Sequence, residues 1–547
     1  RVFGEMLWRL ADMVRAGETR RSFRAKAFQR AVWALDHLPP DLRFDKEKAL
    51  AISGIGPGVL SLIEEYLNRG RLTELETLER RLPSEAPHLR RLPRMTPKIL
   101  TELKAAIGVE TRADLRVAIE SDSLGSISGV GPATMALWAE ILALQPRDST
   151  IVPSHSGWVI ASMLARHISS HTGCWIDIAG DVRRLEEWVG GVDLVATGGS
   201  VDALADFLLD SAVLGDAERE DDRVTGRAHT GLPVDILWAP PDVAGTALAQ
   251  MTGPQAHLDH LSLDPYPTEN ELYEASGFPL IPAPARVLPI DVGSRVVLRQ
   301  DLRGDLHLHT EDSPDGHLSI DALLNAAVAE SYDYVLITDH TQGLRFGGLD
   351  EQAMLQQAAA IERMRPRFPQ IVVLHGAELN IAVDGSLDMD DDTLSILDFA
   401  VAGLHSHFGL DEHAQTRRLE TAMAHPAVRV LAHPFGRRIG IRPAIDVDME
   451  TVIEASLRHG VALETNGHRD RLDLGADWLE IAAERGALFT ANSDAHRREE
   501  IGNVANAVGT LQRAGIDAER VVNTWDVDRL LAWIGDDHTN RRVTKTV

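Results

Sequence analysis

The amino-acid sequence predicts a multidomain chain that joins α+β regions to a C-terminal α/β region of the β/α-barrel type. Three observations support this prediction. The 547 residues exceed what one hydrophobic core usually serves. The first 150 residues have the apolar spacing of helices. From about residue 304 onward, short apolar runs alternate with helical stretches, as in parallel β/α folds.

The composition excludes several classes of protein. No stretch approaches 18 uninterrupted apolar residues, so no membrane span is expected. The one cysteine, Cys174, excludes an intramolecular disulfide framework and suits a cytoplasmic location, which we expect. The net charge is −27, yet residues 1–150 hold 23 Lys and Arg against 20 Asp and Glu. The acidic excess therefore disfavours nucleic-acid contact only in the later part of the chain.

Two glycine turns that open helices mark the first two regions, at residues 1–80 and 81–150. A helix is predicted over 22–31; the turn at 52–58 follows it, and Gly129-Val-Gly-Pro132 repeats the turn. Such a turn points backbone N–H groups outward, where they can hold a phosphate. One turn alone is equally an ordinary helix–loop–helix connection, but the repetition, with Arg94–Lys98 as a degenerate third copy, resembles helix-hairpin-helix DNA-binding motifs. The resemblance implies DNA contacts from Gly54, Gly56, Gly58, Lys98, Gly129 and Gly131.

A third region, residues 151–285, contains the segments Ala179-Gly-Asp-Val-Arg-Arg184, Val189-Gly-Gly-Val-Asp-Leu-Val195 and Leu232-Pro-Val-Asp-Ile-Leu237. These segments resemble the palm of family X DNA polymerases. The resemblance implies a nucleotidyltransferase-like palm, with the thumb in the same region, and three carboxylates that hold two divalent cations.

Two departures from the family pattern change residues that would bind the cations and the triphosphate in this palm. Asp193 and Asp235 match two of the three carboxylates, but Gly191 stands where the other is expected. Asp181 replaces a small residue of the phosphate-binding turn, where its charge would repel a triphosphate. We therefore expect a degenerate palm without polymerase activity. Arg183 is either a solvated helix residue or a retained DNA contact.

Pro-rich sequence at 280–289 predicts a linker, which we place at residues 286–303, before the region 304–547. In that last region, histidines and carboxylates stand at the ends of apolar runs. His307 and His309 alternate along a short predicted strand, so both imidazoles emerge on one face. Because β/α barrels place active sites at the carboxyl ends of their strands, these residues predict a metal site there.

This region resembles the PHP (polymerase and histidinol phosphatase) family, and the order of all regions resembles a bacterial family X polymerase with a C-terminal PHP domain. The resemblance implies nine ligands for up to three cations: His307, His309, Asp315, His340, Glu378, His405, His433, Asp494 and His496. His307, His309, Glu378 and Asp494 would hold one cation. Glu378 would bridge to a second with His405 and His433, and Asp315, His340 and His496 would hold the third. Asp315 stands one residue later than the family spacing, so Asp312 is an alternative.

Other residues of this region are assigned by their neighbours in the sequence. We expect Asp305, Asp339 and His407 to orient the ligand imidazoles by accepting their second N–H. Five histidines lack such a context and are expected on the surface: His317, His413, His425, His459 and His468. Arg437 either contacts a substrate phosphate in the catalytic site or forms a structural ion pair.

Clustered His and carboxylate ligands suit the metal-dependent hydrolysis of phosphate esters. We expect Mn²⁺, with Zn²⁺ or Fe²⁺ as alternatives. The leading hypothesis is a 3′-5′ exonuclease of DNA repair, with 3′-phosphatase or abasic-site activity as variants. The partner would be DNA at ends, gaps or abasic sites, bound without sequence specificity by a monomer. A small-molecule phosphomonoesterase of the histidinol-phosphatase type and a DNA-binding scaffold remain as alternatives.

Overall fold

The chain divides into two units of mixed helix and sheet, which confirms the coarse fold class. This computed structural model describes residues 2–18, 23–35, 50, 54–146, 150–293, 295–344 and 347–535. Unit 1 comprises residues 1–253, 262–272 and 440–443, and unit 2 comprises residues 254–261, 273–439 and 444–547. Ser22, with which one predicted helix begins, and Ile52 and Ser53 of the first glycine turn lie outside the described residues.

Unit 1 begins with helices that surround one apolar core. Their amphipathic sequences bury one face each, and Thr96 and Thr111 accept hydrogen bonds from the first turns of their helices. Pro stands at the start of three of these helices, where its missing N–H costs nothing. The helices are α1 (Val2–Gly17), α2 (Phe23–Leu35), α3 (Pro57–Arg69), α4 (Thr73–Arg81), α5 (Ala86–Leu89), α6 (Pro97–Ile107), α7 (Arg112–Glu120) and α8 (Pro132–Leu144).

A five-stranded sheet with the order β2-β4-β7-β6-β5 forms the rest of unit 1. Only β4 and β7 run parallel, and they pair Asp193 with Asp235. Its strands are β2 (Trp175–Ile178), β4 (Val192–Thr197), β5 (Gly215–Glu220), β6 (Arg223–Arg227) and β7 (Pro233–Ala239). The strands β1 (Val152–Pro153) and β3 (Trp188–Val189) form a separate antiparallel pair. The helices are α9 (Ser154–Thr172), α10 (Gly180–Arg183), α11 (Val201–Asp210) and α12 (Ala244–Thr252).

Unit 2 contains eight short parallel strands, whose residues are almost all buried, as expected for strands covered on both faces. They are β8 (Gly304–Leu308), β9 (Tyr334–Ile337), β10 (Val372–His375), β11 (Glu378–Asn380), β12 (Ala400–Gly403), β13 (Val428–Leu431), β14 (Ala462–Asn466) and β15 (Phe489–Asn492). The helices that alternate with them are α16 (Ile320–Ala329), α17 (Glu351–Met364), α18 (Asp391–Leu394), α19 (Glu412–Met423), α20 (Met449–His459), α21 (Ala476–Glu484), α22 (Val504–Arg513) and α23 (Val527–Ile534). Three short helices precede the first strand: α13 (Gln255–Leu258), α14 (Glu269–Ala275) and α15 (Ile290–Gly293).

The pairing of these strands places their carboxyl ends at one edge. One sheet has the order β10-β9-β8 and the other the order β11-β12-β13-β14-β15. Two bridges, Leu308–Ala495 and His340–Glu378, link residues of the first sheet to residues of the second. Because neighbouring strands run parallel, residues that follow different strands meet at the same side. None of the described helices is both long and apolar enough to cross a bilayer.

Candidate metal centre

The carboxyl ends of the unit 2 strands bring together all nine predicted ligands. His307 lies near the end of β8, and Glu378 begins β11. The other seven residues lie in the loops that follow β8, β9, β12, β13 and β15. We call these nine residues the ligand cluster: His307, His309, Asp315, His340, Glu378, His405, His433, Asp494 and His496.

Glu378 lies at the centre of the ligand cluster and is almost fully buried. Its Oε1 is 2.9 Å from Nε2 of both His405 and His433. Its Oε2 is 2.9 Å from Nδ1 of His340 and 3.2 Å from Nε2 of His307. One carboxylate thus faces four imidazoles, the arrangement expected of a ligand that bridges two cations.

Asp494 and Asp315 lie on either side of His309 and His496. Asp494 Oδ1 is 3.1 Å from Nε2 of His309. Asp315 Oδ1 is 3.4 Å from Nε2 of His496 and 3.9 Å from Nε2 of His340. The side chain of Asp315 is 61% exposed, so this end of the cluster opens to solvent. The alternative residue, Asp312, instead accepts a hydrogen bond from Gln357.

The pKa values of Glu378, Asp494 and His433 favour ligation. Burial opposes charge on Glu378, but the imidazoles of His405, His340 and His307 outweigh it and hold the pKa well below its ordinary value. His307 and a hydrogen bond from His309 do the same for the pKa of Asp494. Burial, helped by the charge of Arg471, lowers the pKa of His433 to about 4. At neutral pH the two carboxylates are therefore ionised and His433 keeps a free lone pair. Despite burial, neighbouring carboxylates raise the pKa of His307 and His340 and that of His496 to about 9, so cation binding there would release protons.

The residues present fit divalent cations. Among the described residues, Nε2 of His307, Nε2 of His496 and Oε2 of Glu378 are buried and have no hydrogen-bond partner. Four sets of potential ligand atoms lie within 4.8 Å of one another, including His307, His309, Glu378 and Asp494. A Cβ at Gly403 would lie 3.0 Å from Oε1 of Glu378, so the glycine leaves room for this packing. Converging lone pairs without hydrogens between them are what a cation requires.

Glu464 supports the cluster and was missed by the sequence analysis. Fully buried in β14, it accepts a hydrogen bond from Nδ1 of His307 at 2.7 Å and another from the backbone N–H of His433 at 2.8 Å. The first bond leaves Nε2 of His307 free to face Glu378. A glutamate inside the apolar run Val461-Ala-Leu-Glu464 was the available signal, because buried charges require partners.

The predicted orienting role of Asp305 and Asp339 is wrong in its detail. Asp305 accepts hydrogen bonds from the backbone N–H groups of His307 and Ser493. Among the described residues, it accepts none from an imidazole of the ligand cluster. Asp339 accepts from the hydroxyl of Ser313, whose oxygen lies 3.2 Å from Nδ1 of His309. Asp339 therefore acts on the imidazole through a serine, which residue spacing alone does not reveal.

Two residues of the loop after β14 also reach the cluster. His468 is not the surface residue predicted, because its Nε2 lies 3.0 Å from the backbone oxygen of Asp494. Arg471 places Nε 3.9 Å from Oδ2 of Asp494, and its buried Nη1 has no hydrogen-bond partner among the described residues. The guanidinium of Arg437, by contrast, donates to the backbone oxygens of Arg471 and Leu472. Of the two arginines, Arg471 is the one with a donor left for a phosphate.

Unit 1 holds a second group of carboxylates, which we call the palm carboxylates: Asp193 of β4, Asp235 of β7 and Asp181 of α10. Asp235 and Asp181 form ion pairs of 2.5 Å with Arg223 and Arg184. Burial, together with the charges of Asp235 and Asp181, raises the pKa of Asp193 to about 6. A Cβ at Gly180, which has φ +59°, would lie 1.8 Å from Oδ2 of Asp193, so only glycine fits there.

Arg183, the remaining palm residue singled out from the sequence, is 27% exposed and forms an ion pair. Its two terminal nitrogens donate to the carboxylate of Glu269 at 2.9 and 2.6 Å, and one of them also donates to Thr252 Oγ1. A retained DNA contact of Arg183 stays a prediction.

The predicted DNA-binding glycines lie at the starts of α3 and α8. Gly56 and Gly131 precede the first turns of these helices, and neither helix has a side-chain cap. A Cβ at Gly56, Gly58 or Gly131 would contact nothing within 4 Å. Packing among the described residues therefore does not require glycine at these three positions. Lys98 lies in the first turn of α6, 3.6 Å from Glu102.

Comparison with known proteins indicates the class of protein to which this site belongs. Residues 305–433 match the family model described as PHP domain, and residues 479–523 match the model described as PHP-associated. Together with the ligand cluster, these matches define the chain as a metal-dependent phosphoesterase with a C-terminal PHP domain.

The whole chain is similar to the DNA polymerase/3′-5′ exonuclease PolX of Bacillus subtilis, with 28% identity over 534 residues that cover 92% of this chain and 93% of the relative. The predicted resemblance to a bacterial family X polymerase with a PHP domain is therefore confirmed. Shorter relatives include a probable phosphatase of Syntrophotalea carbinolica, 26% identical over 40% of this chain and 90% of the relative. Another is the probable phosphatase YcdX of Escherichia coli, 27% identical over 40% of this chain and 89% of the relative.

Proposed function

We propose that the chain is a Mn²⁺-dependent 3′-5′ exonuclease that hydrolyses DNA ends at the ligand cluster, in DNA repair in the cytoplasm. The single observation that carries the proposal is the convergence of nine His and carboxylate side chains around Glu378. The name of the Bacillus subtilis relative supports DNA as the substrate. Zn²⁺ or Fe²⁺ remain possible in place of Mn²⁺, because mixed nitrogen and oxygen ligation suits all three.

The residues of the cluster have separate parts in this proposal. His307, His309, Glu378 and Asp494 would hold one cation, His405 and His433 would hold a second with Glu378, and Asp315, His340 and His496 a third. Bound divalent cations would activate a water molecule and neutralise the phosphate oxygens during attack. Arg471 would donate its free Nη1–H to a substrate phosphate oxygen. Arg437 stays a prediction as a second phosphate contact.

The proposed architecture follows the predicted domain boundaries. In unit 2, β9 pairs with β8 and β10, and β11 to β15 pair in order in the second sheet. The bridge His340–Glu378 links the residues after β9 to β11, and the bridge Leu308–Ala495 links β8 to the residues after β15. We infer a distorted β/α barrel of seven positions, in which β10 and β11 share one. The sheet of unit 1 would be the palm, preceded by the helical regions 1–80 and 81–150.

DNA would be held by the backbone N–H groups at the starts of α3 and α8. The open space around Gly56, Gly58 and Gly131 supports this, since glycines there allow close approach of a phosphate. Gly54 and Gly129 would shape the turns through their positive φ angles, and Lys98 would add charge. These contacts read no sequence, so they suit an enzyme that acts on any end.

The palm would keep its fold and have no polymerase activity. Gly191 provides no side chain for a third cation ligand, and Arg223 and Arg184 already neutralise Asp235 and Asp181. A guanidinium offers no lone pair, so it competes with cations for these carboxylates.

A small-molecule phosphomonoesterase is the second candidate. It is favoured by the probable phosphatases, which cover only about 40% of this chain but almost their own full length. The ligand cluster suits both a DNA end and a small phosphomonoester, so the substrate is decided by experiment.

One experiment separates these functions and the scaffold alternative. The full chain is incubated with Mn²⁺ and a duplex labelled at the 5′ end, with p-nitrophenyl phosphate as the competing substrate. If the protein is an exonuclease, the labelled products should form a ladder shortened from the 3′ end. Hydrolysis of p-nitrophenyl phosphate without any DNA ladder would favour the phosphatase. DNA binding without hydrolysis of either substrate would favour the scaffold.

A further inference from the structure

The loop that follows β14 holds Asp494 at two places. The side-chain amide of Asn466 donates to Oδ2 of Asp494 at 3.0 Å. Nε2 of His468 lies 3.0 Å from the backbone oxygen of the same residue. Because a carbonyl oxygen can only accept, this ring nitrogen carries the hydrogen. Asp494 is therefore held both at its carboxylate and at its main chain.

The main chain of Asp494 needs such support. Its φ is +54°, in the strained left-handed region that non-glycine residues rarely adopt. Its carbonyl also accepts from Nδ1 of His496 at 2.9 Å. Two imidazoles thus converge on one carbonyl oxygen, and this pair of hydrogen bonds fixes the direction of the peptide that follows Asp494.

The loop itself is well anchored. The backbone N–H of His468 donates to Oδ1 of Asn466, and the N–H of Gly467 donates to the oxygen of Asn492 in β15. A Cβ at Gly467 would lie 2.2 Å from the oxygen of Asn503, so the loop packs without free space. The imidazole of His468 is consequently presented from a rigid segment.

We propose that His468 is a positioning residue for Asp494. By donating Nε2–H to the Asp494 carbonyl, it holds the left-handed main chain in which the carboxylate faces His307 and His309. Its removal lets the main chain relax and turns the carboxylate away from the cation site. The inference rests on the proposed metal centre and assigns to His468 a part in setting its cation affinity.

The test is Mn²⁺ binding to the full-length protein, measured by calorimetric titration after removal of metals, with no substrate present. We expect His468→Ala to weaken the tightest site by about 10-fold or more, as for other residues that orient metal ligands. His468→Gln, whose amide nitrogen can donate in place of Nε2–H, should restore most of the affinity. His413→Ala is the matched control, because His413 is an exposed histidine of α19 in the same unit.

Each outcome decides the proposal. Unchanged Mn²⁺ affinity of a folded His468→Ala variant would overturn it. Weak binding by a folded His468→Gln variant would also overturn it, because the imidazole would then act other than by donating a hydrogen bond. If His468→Ala fails to fold, near-normal affinity of His468→Gln supports the proposal. Failure of the unmodified protein to bind Mn²⁺ would instead contradict the proposed metal centre.

Discussion

Carboxylates lie close together in both units, but their partners differ. In unit 1, Asp181 and Asp235 pair with Arg184 and Arg223 at 2.5 Å. In unit 2, Glu378 faces four imidazoles, and Asp494 faces those of His307 and His309 with Arg471 farther away at 3.9 Å. A guanidinium is always charged and only donates, so it neutralises a carboxylate and occupies its oxygens. A neutral imidazole offers a lone pair and can bind a cation together with the carboxylate. The choice of partner therefore distinguishes a structural acidic site from a candidate metal centre.

The largest expected effect comes from the centre of the ligand cluster. Glu378→Gln keeps the size of the side chain but removes the charge that faces four imidazoles. We expect phosphoesterase activity to fall by about 10³-fold or more, because bridged cations supply most of the catalysis. Hydrolysis of a labelled 3′ end and the bound Mn²⁺ measured by atomic absorption check this. Full activity of the variant would show that the cluster is structural.

A smaller effect is expected at Glu464, which contacts the ligand cluster but is not one of its nine residues. Glu464→Gln replaces the carboxylate that accepts the Nδ1–H of His307 with an amide. Both oxygens of Glu464 accept hydrogen bonds, whereas an amide keeps only one acceptor oxygen, so the weakened orientation should reduce metal affinity or activity by about 10–100-fold. The matched control is Glu480→Gln on α21, an exposed glutamate of the same unit. Equal activity of both variants would contradict the orienting role of Glu464.

Arg471 tests whether an arginine beside the ligand cluster acts on the substrate. Arg471→Ala should raise KM for a DNA end about 10-fold, with a smaller change in kcat, because a charge-assisted hydrogen bond to phosphate contributes about 1.5–3 kcal/mol. Steady-state kinetics at fixed Mn²⁺ measure both constants. A loss of bound Mn²⁺ with unchanged KM would assign Arg471 to the metal centre instead.

The smallest effect is expected in the palm. The pKa of Asp193 is raised to about 6, so its ionisation costs folding free energy as pH rises from about 4 through 6. Asp193→Asn removes that cost and should stabilise the protein by about 1–2 kcal/mol at pH 7, after an allowance for solvent screening. Thermal unfolding at pH 7 and pH 4 measures it, and the gain should vanish at pH 4. A destabilised variant at pH 7 would mean that the carboxylate makes a favourable contact in the palm.

The sequence predicted helices and strand ends well, because both follow from local periodicity. Residues 23–31 of the helix predicted over 22–31 lie in α2, which continues to Leu35. The nine residues of the ligand cluster were chosen by the resemblance to the PHP family, and parallel strands explain why these residues meet, because their carboxyl ends lie at one side.

The side-chain contacts that the sequence did not predict join elements that are far apart in the chain, and they depend on the direction in which each side chain points. Glu464 contacts His307 over 157 positions, and Arg183 contacts Glu269 over 86. His468 was assigned to the surface because nothing in its neighbours shows that a left-handed residue 26 positions later needs a donor. Such contacts are fixed by loop conformation, which residue spacing does not encode.

The central claim is that the ligand cluster cuts DNA while the palm does not extend it. The most direct measurement follows a 5′-labelled primer on a template with Mn²⁺ and all four deoxynucleotides, for the unmodified chain, Asp494→Ala and Asp235→Ala. The account predicts shortening by the unmodified chain and by Asp235→Ala, and no change of length with Asp494→Ala. Primer extension by Asp494→Ala that is lost in Asp235→Ala would contradict it, because the palm would then be catalytic.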